Sequence, residues 1–201
     1  MASIQINDGQ GFSHICGGSV IETNLVLTAA HCLKDKDISK LSITFGTGDL
    51  SHTGPYRVER KITKILIHPK YNQGESYHDV AVAVLDKELD FNDGVSKVCI
   101  PPESTMDASH RFGDTATMTG WGATKPGEGP SSELRQAMMT IFSTSFCNKS
   151  RTIVNNQNTE SSSDLVPDLF QSSVFCAGWS DSIIRSYVPI DIFNLIIYTL
   201  F

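Results

Sequence analysis

Short runs rich in β-branched residues, broken by Gly, Asn, Asp and Pro, constrain this chain more than any other feature. They fall at residues 15–21, 25–28, 41–45, 62–67, 80–85 and 115–119. Each run is long enough to cross a sheet and each break carries turn chemistry, so the pattern predicts an all-β sandwich or barrel. In residues 80–85, Val-Ala-Val-Ala-Val-Leu, both alternating faces are apolar. That predicts a strand covered on each side. No stretch of about 10 to 15 residues carries helical periodicity. Single helical turns are expected at 28–33 and 143–147.

The 201 residues, 40% hydrophobic and 19% charged, suffice for one globular domain or two joined halves with a real core. A net charge of −6 without any run of Lys or Arg leaves no footprint for phosphates, so no nucleic-acid partner is expected. Residues 1–11 have neither a positive start nor an apolar core, hence no signal peptide is read in this chain. The apolar stretch 188–201 is interrupted by Asp191 and Asn194 and falls short of the roughly 20 residues that span a bilayer, so no membrane contact is expected. Five cysteines without C-x-x-C spacing predict disulfides rather than zinc, with one thiol left over. Residues 149–173, rich in Ser and Asn, read as a solvated surface insertion. From Ser182 the pattern changes abruptly into an apolar tail.

Two residues carry chemistry. His31 closes the segment Leu27-Thr28-Ala29-Ala30-His31-Cys32. A lone histidine more often does structural work than catalytic work unless partners converge on it. Asp79 stands at the mouth of the apolar 80–85 strand, where an unpaired carboxylate would be costly to bury. Such a carboxylate calls for a donor, and an imidazole Nδ1–H supplies one.

Seven segments then follow in order: Cys16-Gly17-Gly18-Ser19, Leu27 to Cys32, His68-Pro69-Lys70-Tyr71-Asn72, His78 to Leu85, Val98-Cys99-Ile100-Pro101, Thr119-Gly120-Trp121-Gly122 and Phe175-Cys176-Ala177-Gly178. In these segments and their spacing the chain resembles the trypsin-like (chymotrypsin-fold) serine endopeptidases, up to Asp181. The resemblance implies a double antiparallel β-barrel: a first barrel over residues 1–100, a partial second barrel over 101–181, and a tail over 182–201 that resembles nothing in the family. The tail from Ile183 is expected either to pack on the open part of the second barrel or to be poorly ordered. The resemblance makes His31 the general base and Asp79 its orienting carboxylate, because a serine hydroxyl attacks only when an imidazole takes its proton. It also implies disulfides Cys16–Cys32 and Cys147–Cys176, leaving Cys99 alone. His14, His52, His68, His78 and His110 receive no function.

The chain departs from the family at its chemical centre. No Gly-Asp-Ser-Gly-Gly-Pro string follows Cys176-Ala177-Gly178, and neither Ser180 nor Ser182 stands in that frame. The expectation is a peptide-bond hydrolase by family whose present form lacks the nucleophile and is inactive. The rivals are a non-catalytic homologue serving as a binding or decoy module, and a gene-model fragment. The start aligns inside the family's Ile-Val-Gly-Gly. Asp49 is the only carboxylate in the calcium-loop region 47–58, so no structural metal and no cofactor are expected. By family, the partners are polypeptide substrates or protease inhibitors and the location is extracellular. Asn148-Lys149-Ser150 would then be a glycosylation sequon.

Overall fold

The computed structural model describes residues 1–73, 78–100, 112–124, 127–143, 176–178 and 196–198. The expected insertion at 149–173, the sequon, Cys147, His110, Ser180, Ser182 and most of the 143–147 turn lie outside the described residues. The fold is all-β, as the punctuated pattern predicts. Strands β1 (Ala2–Asn7), β2 (Phe12–Glu22), β3 (Leu25–Thr28), β4 (Leu41–Phe45), β5 (Val58–Ile67) and β6 (Ala81–Leu85) close into an antiparallel barrel in the order β1-β2-β3-β6-β5-β4. Strands β7 (Thr115–Gly120), β8 (Arg135–Phe142), β9 (Cys176–Gly178) and β10 (Ile196–Tyr198) form an open sheet in the order β10-β7-β8-β9.

Alternation drives the barrel. Along β6 the residues Ala81, Ala83 and Leu85 point into a core shared with Ile4, Val20, Val26, Ile43 and Phe45. Val82 and Val84 are only half-buried, so β6 is not the strand covered on both faces. Coverage on both faces falls instead on β4, where every residue from Leu41 to Phe45 is buried, and on the first four residues of β1. The second face of β4 is polar: Ser42 and Thr44 lie opposite Gln5 and Ser3 of β1 in the antiparallel register. Sequence alternation could not reveal this, because Ser and Thr mark solvent as readily as a polar interior.

Turn chemistry sets the registers. Between β1 and β2 the side chains of Asn7 and Asp8 accept from the amides of Gly9 and Gln10 at 2.9 Å each, and Gly9 takes φ +94°. After β4, Gly46 takes φ +68°, and a Cβ there would stand 1.9 Å from the carbonyl oxygen of Tyr56. Only glycine fits that crossing.

The barrel meets the second sheet through a short ladder. The Leu50 amide donates to Ser132 O at 2.9 Å and the Leu134 amide to Gly48 O at 2.6 Å. Trp121, 1% exposed, sits at this joint with its ring edge to His14 at 5.6 Å between centroids. From the segment expected to form the tail, β10 pairs with the edge of β7, Ile196 opposite Thr119. Among the described residues this sheet stays open.

Candidate active site

His31 lies on the single helical turn α1 (Ala30–Leu33), which follows β3 directly. One turn has no helical stability of its own, so its position is imposed from outside. Two attachments do this. Thr28 Oγ1 donates to Gly17 O at 2.8 Å, tying the end of β3 to β2. One residue away, Cys32 on α1 is bonded to Cys16 on β2, with Cα atoms 6.1 Å apart. The Cys16–Cys32 pairing implied by the resemblance is thus present, and Cys99 is a free, exposed thiol. The partner implied for Cys176, Cys147, lies outside the described residues.

Asp79 is reached by a different device. The residue before it, His78, holds φ +56°, in the left-handed region that histidine tolerates better than most side chains. The bend closes on itself, since the Val80 amide donates to His78 O at 2.8 Å. The His68 amide in turn donates to Val80 O at 3.0 Å, and the rings of His68 and His78 stack at 4.8 Å with an interplanar angle of 8°. This turn and stack deliver Asp79, 6% exposed, beneath α1. His68 and His78 carry no function in the sequence reading, yet they brace the turn that aims Asp79. Nothing in the sequence links them, because their contact depends on that left-handed bend.

The pair meets in a two-point grip. Asp79 Oδ2 accepts from His31 Nδ1–H at 2.6 Å, and Oδ1 accepts from the His31 backbone amide at 2.8 Å. Both carboxylate oxygens are therefore spent on one residue, which satisfies a charge that would be costly to bury alone. The imidazole is thereby held as the Nδ1–H tautomer; Nε2 faces Cys32 Sγ at 3.4 Å, a disulfide sulfur with no proton to donate, so its lone pair is unused. The side chain of His31 is 39% exposed. Chemically, this is an oriented imidazole base with a carboxylate behind it and an accessible lone pair in front.

Another Ser, His and Asp grouping sits on the surface and cannot act this way. Ser51 Oγ donates to Asp49 Oδ1 at 2.6 Å, while His52 Nδ1 faces both Asp49 Oδ2 at 2.7 Å and Ser51 Oγ at 2.9 Å. One ring nitrogen meets both partners, so no relay from nucleophile to base to carboxylate exists. The grouping caps a turn. The remaining sequence-identified histidine within the described residues, His14, bonds Ser3 Oγ at 2.8 Å at the joint with the second sheet.

An antiparallel barrel closed on six strands, joined to a second sheet and carrying a histidine and an aspartate gripped together at its rim, defines a trypsin-like serine protease domain. The family model for trypsin matches residues 1–183, and the chain belongs to that family. It is 33% identical to serine proteinase stubble of Drosophila melanogaster over 177 residues, 86% of this chain and 21% of that protein. It is 35% identical to transmembrane protease serine 5 of Homo sapiens over 144 residues, 70% of this chain and 31% of that protein. With vitamin K-dependent protein C of Rattus norvegicus the identity is 33% over 107 residues, 53% of this chain and 23% of that protein. The chain thus spans between 21% and 31% of the length of these curated relatives. Among the described residues no helix is long and apolar enough to cross a membrane.

Proposed function

We propose that this chain carries the base and orienting carboxylate of an extracellular serine endopeptidase acting on polypeptides, and that the 201 residues by themselves hydrolyse no peptide bond. In the reaction, His31 Nε2 takes the proton of a serine hydroxyl as that oxygen attacks the scissile carbonyl, and later returns it to the leaving amine. Asp79 holds the tautomer and stabilises the imidazolium. The observation that carries this reading is the two-point grip of Asp79 on His31, which leaves the Nε2 lone pair without a hydrogen-bond donor. A hydrogen-bonded network of that kind has little structural reason to leave its imidazole facing solvent.

The nucleophile is the missing member. The sequence holds no Gly-Asp-Ser-Gly-Gly-Pro, and loss of the serine from such a site costs on the order of a million-fold in turnover. The reading includes residues 1–100 as the first barrel, 101–181 as part of a second, 182–201 as a segment apart from the family pattern, and a Cys147–Cys176 bridge. Polypeptide substrates and protease inhibitors are its partners.

The test is to express residues 1–201 in an oxidising host and treat the folded chain with a serine-directed fluorophosphonate and a panel of peptide amides. No labelling and no turnover are expected. Stoichiometric labelling that His31→Ala abolishes would overturn the inactivity and point to Ser180 or Ser182. Reading the genomic sequence past codon 181 tests the ancestry: a downstream Gly-Asp-Ser-Gly-Gly-Pro supports the endopeptidase. Its absence, with inhibitor binding retained, supports a decoy instead.

A further inference from the structure

The sulfurs beside His31 suggest a second use for its free nitrogen. Cys32 Sγ lies 3.4 Å from His31 Nε2. The ligand atoms of Cys16, Cys32 and His31 all fall within 4.8 Å of one another, and no other such group of three occurs among the described residues. We propose that, once the Cys16–Cys32 bond is reduced, the two sulfurs and His31 Nε2 form a three-ligand zinc(II) site that takes the base out of service.

In the disulfide-bonded chain His31 Nε2 already stands at a coordinating distance from one of the two sulfurs. Zn–S bonds of about 2.3 Å and Zn–N bonds of about 2.0–2.1 Å, set at tetrahedral angles, place sulfur and nitrogen about 3.5 Å apart and two sulfurs about 3.8 Å apart. The Cys32 to His31 edge already has that length. With Cα atoms 6.1 Å apart, the freed sulfurs of Cys16 and Cys32 reach a zinc-bound separation only by side-chain rotation, which the site requires. Two cysteines, one histidine and an open fourth position are a coordination set that zinc accepts.

Asp79 completes the argument. A metal-bound imidazole almost always gives its other N–H to a carboxylate, which fixes the ring and raises its donor strength. His31 is held that way already, through Nδ1–H to Asp79 Oδ2 at 2.6 Å. The arrangement that prepares Nε2 to accept a proton equally prepares it to accept a metal. Entry is open from the histidine side, which is 39% exposed, while Cys16 and Cys32 are buried. Buried thiolates need a cation, and zinc supplies it.

The chemistry balances with a dithiol as reductant. The dithiol gives two electrons and two protons to the Cys16–Cys32 bond and becomes a disulfide itself. Zinc(II) then displaces the two thiol protons, with no change in its oxidation state. Because Nε2 is a ligand in this form, it accepts no proton from a serine hydroxyl.

Cobalt(II) is the probe, since sulfur coordination gives it charge-transfer and visible bands. The full chain carrying Cys99→Ser, Cys147→Ser and Cys176→Ser is reduced with excess dithiothreitol, desalted under argon and titrated. One equivalent of cobalt per reduced chain is expected, displaced by zinc, and none for the oxidised chain. Cys16→Ser or His31→Ala should abolish the stoichiometric spectrum. Asp79→Asn should weaken affinity by about 10- to 100-fold while preserving the bands. Binding by the oxidised chain, or binding unaffected by His31→Ala, overturns the proposal. So does a reduced chain that loses amide protection in β2 and β3 and does not regain it with metal. The readout is a metal spectrum, so it stands or falls independently of peptide hydrolysis.

Discussion

The two halves of the molecule use the same antiparallel hairpins to opposite effect. In the barrel every strand is paired on both sides, and the core runs without interruption from Ala2 through Phe45 to Val95. In the second sheet β10 and β9 stand at the edges among the described residues. There Met139 is the buried centre of a small cluster with Met118 and Ala177, and Met138 is 66% exposed. Closure removes edges and concentrates apolar burial; an open sheet does neither. The elements that aim His31 and Asp79, namely β2, β3, α1 and the turn before β6, all belong to the closed half. The geometry of His31 and Asp79 is therefore set within the closed half.

That division has measurable consequences. The largest is expected at Phe45, 1% exposed in the barrel core. Phe45→Ala should cost about 3–5 kcal/mol, since the ring is lost and the surrounding strands cannot collapse on the gap. Hydrogen exchange followed by peptide should show protection falling throughout β1 to β6 together. If only β4 and its neighbours respond, the barrel is not one cooperative unit and the comparison fails.

The disulfide comes next. Cys16 and Cys32 are separated by 16 residues, and a loop of that size gives about 3 kcal/mol of stabilisation by restricting the unfolded chain. The paired replacement Cys16→Ala with Cys32→Ala should lower the denaturant midpoint of the barrel by that amount. Its effect on β7 and β8 should be small. A smaller loss is expected from Met139→Ala, about 2 kcal/mol, at the low end for a buried methionine because its cluster is small. Exchange should then rise in β7 and β8 while β1 to β6 keep their protection. Equal loss in both halves would show that the open sheet and the barrel unfold as one.

The same division governs what the sequence makes legible. The barrel strands β2 to β6 and the first strand of the second sheet stand out because β-branched runs alternate between clear turn signals. Strand β1 is missed, since Ala2-Ser3-Ile4-Gln5 places polar side chains on a face that is buried. Strand β8 is missed as well: Arg135 to Phe142 alternates poorly, with Met138 exposed beside Met139 buried. Asp79 is legible as a carboxylate needing a donor, and His31 as the donor that family order supplies. The His68 and His78 stack is not, because it arises from a backbone bend rather than from any periodicity. That the bridge lies at the histidine's turn is legible, since Cys32 follows His31; the 3.4 Å approach of its sulfur to Nε2 is not, because it depends on the ring's rotamer.

The smallest expected effect tests the joint between the halves. His14 sits on β2 with Nδ1 at 2.8 Å from Ser3 Oγ and its ring edge against Trp121. Burial holds its imidazole below the ordinary value near 6.5, because desolvation disfavours the charged ring. The folded chain thus binds fewer protons at His14 than the unfolded chain between the folded value and about 6.5, so stability rises with pH through that window. His14 contributes fully above about 6.5, and its contribution is lost as pH falls toward the folded value. Protonation would also turn Nδ1 into a donor and force Ser3 Oγ to accept. Denaturant midpoints read from tryptophan fluorescence should therefore decline on acidification from pH 7.5 to 5.5, and His14→Phe should flatten part of that slope. The exchange of β7 should follow the same trend, since Trp121 directly follows that strand. An identical slope in both proteins would place the pH sensitivity at a group other than His14.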